Sequence, residues 1–370
     1  IRVIRAFGNE KYEEKRFDET NESYAEVAKK LNKLMAISQP LFFFLLNIAI
    51  IVIFWISSKM INVGTLQVGQ LVAFIEYLFH AMFSIMLFSM VFVMYPKAQV
   101  SANRIMEVLN TEPIIKSPKN GIKDTENKGT IEFENVSFTY PNGEEPVIKD
   151  VSFSGKKGEV IAFIGSTGSG KSTLINLIPR FYDVTKGSIK IDGVDVRDYD
   201  LKYLRKKIGF IPQKTLLFTG SIANNIKFGK KDAEYKEVED SAKIAQAYEF
   251  ISNKPNKFDE IITEGGSNVS GGQKQRLSIA RAIVRKPDIY IFDDSFSALD
   301  FKTDAILRKE LRSETKDAIV LIVAQRIGSI MDADKIIVLN EGEVVGIGTH
   351  KELIKTCPIY HEIATSQLTE

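Results

Sequence analysis

Apolar and polar positions alternate in three different ways along this chain. Over residues 1–36 apolar residues recur at helical spacing among charged ones: Ile4, Phe7, Phe17, Tyr24, Val27, Leu31 and Leu34. No Gly or Pro interrupts Asn9 to Gln39, so the spacing predicts a long amphipathic helix. The chain then turns wholly apolar over 37–58, in "SQPLFFFLLNIAIIVIFWISS", and again over 71–95, in "LVAFIEYLFHAMFSIMLFSMVFVMY". Each run reaches the roughly 20 apolar residues that cross a bilayer. A buried helical hairpin of a soluble domain is the competing reading, and two adjacent runs of this length, nearly free of charge, argue against it. From Thr130 short β-rich runs alternate with helical stretches. "TIEFENVSFTY", "VIAFIG", "SIKIDG", "IGFIPQ", "IYIFDD", "AIVLIVAQ" and "KIIVLNEGEVV" are the candidate strands. This is the signature of an α/β domain with a largely parallel core sheet. Residues 215–285 carry no strand pattern and read as an inserted helical lobe.

The expected organisation follows. Residues 1–110 form a stalk helix and two membrane spans, and 130–370 form an α/β domain. Between them, 111–129 are a linker rich in Pro, Gly, Asn and Lys. Charge orients the spans. The hairpin "KMINVGTLQVGQ" has Lys59 as its only Lys or Arg, whereas residues 1–36 carry eight. Positive-inside bias therefore places 1–36 and everything after Pro96 in the cytoplasm. The net charge of +2 gives no case for nucleic acid. A lone cysteine, Cys357, excludes an intrachain disulfide and fits a reducing compartment. The chain opens at Ile1 without Met or a signal peptide, which reads as a cut inside a longer protein.

"GSTGSGKS", Gly165 to Ser172, matches the phosphate-binding pattern G-x-x-x-x-G-K-[ST] at every fixed position. A strand precedes it and a helix follows, which is the context the chemistry needs. Gly165, Gly168 and Gly170, with Ser166 and Ser169, let successive backbone N–H groups face a β-phosphate. The helix that starts with Lys171, Ser172 and Thr173 adds its positive end. Lys171 would reach the β- and γ-phosphates and Ser172 would bind Mg²⁺. Asp293 closes an apolar strand and would hold the same ion, with a helix-capping role as its alternative.

"NVSGGQKQRLSIARAI", Asn268 to Ile283, adds a second anion site at a helix start. Together, Gly165–Ser172, Gln213, Ser270–Gln273, Asp293 and Ser297–Asp300 stand in the order found in the ATP-binding cassette (ABC) family, which the whole chain resembles. Residues 1–110 resemble the last part of an exporter's membrane domain, with "IRVIRAFGNEKYEEKRF" similar to its cytoplasmic stalk. Residues 130–370 resemble a complete nucleotide-binding domain. The resemblance implies ATP and Mg²⁺ as cofactors and the cytoplasmic membrane of a bacterium as location. It also implies a head-to-tail pair of cassettes sandwiching two ATPs. Ser270, Gly271, Gly272 and Gln273 would then meet the phosphates held by a partner's P-loop, with Asp300 at the interface. Tyr140 resembles the aromatic that stacks on adenine, against the plainer reading of a strand-end aromatic. Gln213 resembles the residue that links the Mg²⁺ site to the membrane domain, against that of a solvated loop amide.

Two positions depart from the family pattern. Asp294 stands where a Glu acts as general base, and Gln325 stands where exporters usually have His. Asp and Glu have similar reference pKa values, so reach changes rather than basicity. A carboxylate withdrawn by about 1 Å can cost on the order of 10²-fold in rate. Gln325 can hydrogen-bond a γ-phosphate through its amide, but it carries no mobile proton near neutral pH. The chain is therefore expected to bind ATP well and hydrolyse it poorly at its own P-loop. This resembles one subunit of a heterodimeric exporter, whose partner half-transporter borrows the intact Ser270–Gln273 turn. A slow homodimer and an ATP-gated regulatory protein are the alternatives. Glu76 and His80 lie four apart in the second span and share a helix face. They could line a translocation pathway or bond a neighbouring helix. The cargo class stays open among small molecules, drugs, lipids and peptides.

Overall fold

The computed structural model describes residues 1–125, 129–141 and 143–368. It divides into two compact units, Ile1–Glu112 and Pro113–Glu370.

The first unit is helical. A short helix, Arg2–Ala6, is separated by Gly8, at φ +63°, from a 53-residue helix, Glu10–Asn62. The amphipathic stalk and the first apolar run are thus one continuous helix, with Pro40 inside it. Gly64, at φ +79°, turns the chain, and Thr65 Oγ1 closes the turn by donating to Met60 O at 3.0 Å. A 43-residue helix, Val68–Asn110, follows. Its start is fixed by a reciprocal cap in which Gln67 N donates to Gln70 Oε1 at 2.9 Å. This helix begins before the second apolar run and continues past Pro96, so helix limits and apolar limits differ. Pro40–Asn62 and Val68–Asn110 are both long and apolar enough to cross a membrane. Glu76 and His80 approach to 3.8 Å on the second long helix, and both are exposed.

Among the described residues the second unit holds twelve strands. In chain order they are β1 (Thr130–Phe138), β2 (Ile148–Lys156), β3 (Val160–Ile164), β4 (Lys186–Ile191), β5 (Val194–Asp195) and β6 (Ile208–Ile211). They continue with β7 (Gly220–Ser221), β8 (Ile261–Ile262), β9 (Ile289–Asp293), β10 (Ile319–Val323), β11 (Lys335–Asn340) and β12 (Glu343–Gly348). The core sheet has the order β12-β11-β3-β10-β9-β6 and is parallel except at its β12 edge. A second, antiparallel sheet has the order β2-β1-β4-β5. Strands buried on both faces read as unbroken apolar runs. In β3, Ile161 and Phe163 pack with the antiparallel sheet and Leu174, while Ala162 and Ile164 pack with the helices of the other face.

Three features differ from the sequence pattern. β2 is not among the candidate strands, because Asp150 at φ +51° breaks its alternation opposite a bulged β1. "KIIVLNEGEVV" is a hairpin rather than one strand, with Glu341 (φ +49°) and Gly342 (φ +85°) as its two-residue turn. The helical lobe carries a ribbon, β7–β8, whose strands are too short to show a period. Its main helices are Ile222–Lys227, Tyr235–Ile244, Tyr248–Ser252 and Gly271–Ile283.

The segment after Pro113 is no loose tether. Ile122 exchanges backbone hydrogen bonds with Asp198 and Asp200, and Ser117 Oγ accepts from Leu201 N at 2.9 Å. Buried Asp192, itself paired with Lys207 at 2.7 Å, takes hydrogen bonds from Thr125 and Gly129.

Candidate functional site

The chemistry gathers where the parallel strands end. β3 runs into Gly165–Gly170, and the helix Lys171–Leu177 starts directly after the loop. Gly165 and Gly170 have no room for a side chain. A Cβ on Gly165 would run into Leu339 O, and one on Gly170 would come within 2.6 Å of Ile148 Cδ1. Gly168 has open space but needs φ +86°, which glycine adopts without strain. Lys171 Nζ donates to Gly165 O at 2.8 Å, Ser166 O at 2.7 Å and Ser169 Oγ at 3.2 Å. These bonds hold the ammonium inside the loop. Burial lowers the Lys171 pKa, opposed by the nearby charges of Asp294 and Asp293.

β9 lies one strand beyond β10 from the P-loop strand and delivers Asp293 at its end. Ser172 Oγ donates to Asp293 Oδ1 at 2.9 Å, so these two oxygens converge. Burial pushes the Asp293 carboxyl above its ordinary value, Asp294 adds to the push, and the Ser172 bond opposes it. A hydroxyl and a carboxylate are hard oxygen ligands of the kind Mg²⁺ takes. Among the described residues no cluster of three or more His, Cys, Asp or Glu could hold a metal. The Ser172 and Asp293 oxygens fit Mg²⁺, which takes few protein oxygens and completes its shell with phosphate and water.

Asp294 follows at φ +48°, a left-handed conformation that Asp adopts more readily than most residues. Its Oδ2 accepts from Gln325 Nε2 at 2.8 Å and from Gln213 Nε2 at 3.3 Å. Burial raises the Asp294 pKa, and the Gln213 amide works against that rise. The two positions that depart from the family pattern are thus in direct contact. Gln213 turns its amide nitrogen to Asp294.

Gly165, Ser166, Gly168, Gly170, Lys171, Ser172, Thr173, Gln213, Asp293, Asp294 and Gln325 line one cavity of about 570 Å³. Tyr140 does not line it. Its hydroxyl bonds Thr173 Oγ1 at 3.0 Å, and its ring packs edge-on against Phe138 and Tyr182. That places the ring beside the first turn of the P-loop helix.

Ser270, Gly271, Gly272 and Gln273 also lie outside the cavity. Ser270 caps the Gly271–Ile283 helix: its Oγ accepts from Gln273 N at 3.3 Å, and its own N donates to Gln273 Oε1 at 3.1 Å. A Cβ on Gly272 would stand 3.2 Å from Ala298 O, whereas Gly271 faces open space. Asp300 caps the Phe301–Glu314 helix through Thr303 N at 3.0 Å, and that bond lowers its pKa.

Sequence reasoning missed the residues that hold these parts in register. Buried Ser295 donates to Ile211 O at 3.0 Å and fixes the strand end from which Gln213 emerges. Thr215 Oγ1 donates to buried Gln275 Oε1 at 2.6 Å, tying the Gln213 loop to the Ser270 helix. Ile363, Ser366 and Gln367 of the last helix form another wall of the cavity. Ser295 and Gln275 adjoin motifs and could have been suspected on that ground; Gln367 has no motif around it.

A strand-end P-loop beside an acid-ended strand, with an inserted helical lobe presenting a capped Ser-Gly-Gly turn, defines a cassette-type nucleotide-binding domain. Residues 148–297 match the ABC transporter family model, and residues 1–95 match the model of the ABC transporter transmembrane region. An uncharacterized ABC transporter ATP-binding protein of Mycobacterium tuberculosis is 38% identical over 99% of this chain. One from Bacillus subtilis is 41% identical over 99%. A second B. subtilis ATP-binding/permease protein, whose name proposes multidrug export, is 35% identical over 99%. The chain spans 63% of the length of each of these relatives. The solved structure of a bacterial Atm1-family ABC exporter with ATP bound aligns with a TM-score of 0.87 at 30% identity, covering 100% of this chain and 64% of that one. This chain belongs to the ABC transporter family and joins that family's membrane region to its ATPase domain, which lies in the cytoplasm.

Proposed function

We propose that this chain is part of one half of an ATP-driven exporter, and that its own P-loop site is catalytically weak. The observation that carries this reading is the Asp294 carboxylate, whose Oδ2 takes amide hydrogen bonds from both Gln325 and Gln213. A general base needs a carboxylate that reaches the attacking water and a route for the proton. Asp294 is one methylene short of Glu, and both of its amide partners are groups that cannot titrate near neutral pH. ATP would still be gripped. The loop N–H groups, Lys171 and the first turn of the P-loop helix would bind phosphate, while Ser172, Asp293 and Gln213 would hold Mg²⁺. That ion, when bound, neutralises phosphate charge. The Tyr140 ring would carry the adenine.

The other half of a working site is offered elsewhere on the chain. Ser270–Gln273 is a well-formed helix start that does not line this chain's own P-loop cavity. A second half-transporter, stacked head to tail, would bring its ATP to that turn. Closure of the pair would then depend on ATP, and hydrolysis would take place on the partner's P-loop. The pairing is proposed as a heterodimer in the bilayer. A relative whose name proposes multidrug export supports a drug-like small molecule as cargo.

The test is a gain of function. In the full-length complex, with the partner's P-loop lysine replaced, Asp294→Glu combined with Gln325→His should raise turnover on the order of 10²-fold. No gain would overturn the weak-site reading.

A further inference from the structure

We propose that Gln367, in the last turn of the Pro358–Leu368 helix, is a positioning residue that sets Gln325 in place for the terminal phosphate of ATP. This rests on the reading above that Gln325 meets that phosphate. Gln367 Nε2 donates to Gln325 O at 2.8 Å, and Gln367 Oε1 accepts from Ile327 N at 2.8 Å. A primary amide offers a donor and an acceptor side by side, as a peptide group does. Here both are used on the backbone flanking Arg326, so one side chain fixes the segment on both sides. The Gln325 side chain leaves this clamped backbone and donates to Asp294 Oδ2.

The neighbouring end of the segment is held as well. Arg308 NH1 donates to Gly328 O at 2.9 Å, and Arg308 Nε is anchored on Asp304 at 3.0 Å. The Gln367 clip differs in where it comes from. It belongs to a separate helix 42 residues downstream, seated on the domain by Tyr360 and Ala364, both fully buried. Ala364 is three residues before Gln367, so anchor and clip share one helix face. The helix thereby joins the wall of the nucleotide cavity without contributing any motif.

The test compares ATP and ADP affinity at this chain's site in the full-length protein, with the P-loop of any co-purifying partner disabled. Gln367→Met keeps the volume and removes both hydrogen bonds. It should weaken ATP about fivefold, the size of a lost backbone-anchoring hydrogen bond, and leave ADP within about twofold. In a Gln325→Ala background the same change should have no further effect on ATP. Equal losses for ATP and ADP would show that the helix only packs against the wall, and no loss would show that the clip is idle. Either result overturns the proposal. Unchanged ATP affinity in Gln325→Ala alone would overturn the reading of Gln325 and remove the role proposed for the clip. This binding comparison does not depend on whether the site hydrolyses.

Discussion

The two halves of an ATP site that this chain carries are built to different standards. The P-loop half keeps every group that grips a nucleotide, from Gly165 to Thr173 with Asp293 beside it, yet departs from the family at Asp294 and Gln325. The Ser270–Gln273 half departs nowhere: the cap is reciprocal, and Gly272 fits tightly against Ala298. On the proposed reading the contrast separates binding from hydrolysis within one cassette: this chain would hold ATP while its Ser270 turn serves a different site.

The comparison can be broken at its intact half first. Gly272→Phe would force a side chain into Ala298 O and into the space a partner's phosphate needs. ATPase of the assembled complex should fall on the order of 10²-fold or more. Unchanged turnover would mean that the Ser270 turn serves no partner. A smaller effect sharpens the binding role of the other half. Tyr140→Ala should weaken ATP at this chain's site about tenfold, the size of one aromatic–base stack. Tyr140→Phe removes only the Thr173 bond and should cost about threefold or less. Equal losses in the two variants would show that the hydroxyl matters and the ring does not.

The smallest effect concerns stability. Burial raises the folded-state pKa of Asp293 above its unfolded value. Below the unfolded value the carboxyl is protonated in both states and has no effect. As pH rises through the folded value, the native state loses stability by ionising a buried group, and the loss is complete above it. Asp293→Asn should therefore raise the melting temperature of the nucleotide-free protein at pH 7. The gain should shrink toward pH 4, while Mg²⁺-dependent ATP binding is lost. A gain that stays constant from pH 8 to pH 4 would contradict the burial argument.

Contiguity decided what could be seen in the sequence. The strand, loop and helix around Gly165–Ser172 lie next to one another in the chain, and buried parallel strands such as β9 and β10 read as unbroken apolar runs. The two apolar runs of the membrane region were equally plain, although their helices extend beyond them into charged sequence. What escaped depends on bonds between distant residues or on broken periods. Asp150 disrupts the alternation of β2, and the β7–β8 ribbon is too short to have one. Asp294, Gln213 and Gln325 could each be singled out, but their meeting at one carboxylate oxygen is a product of strand order. Gln367 sits at the end of a helix with no pattern to mark its amide, 42 residues from the carbonyl it binds.

The central claim is that ATP stays whole on this chain while its partner turns over. We would purify the full-length protein from its native membrane, photolabel the complex with azido-ATP during turnover, and identify the nucleotide on each chain. The account predicts two different chains, with ATP recovered from this one and ADP from a partner that has Glu after its strand-end Asp. ADP on this chain at a level matching the turnover of the complex, with no second chain present, would contradict it.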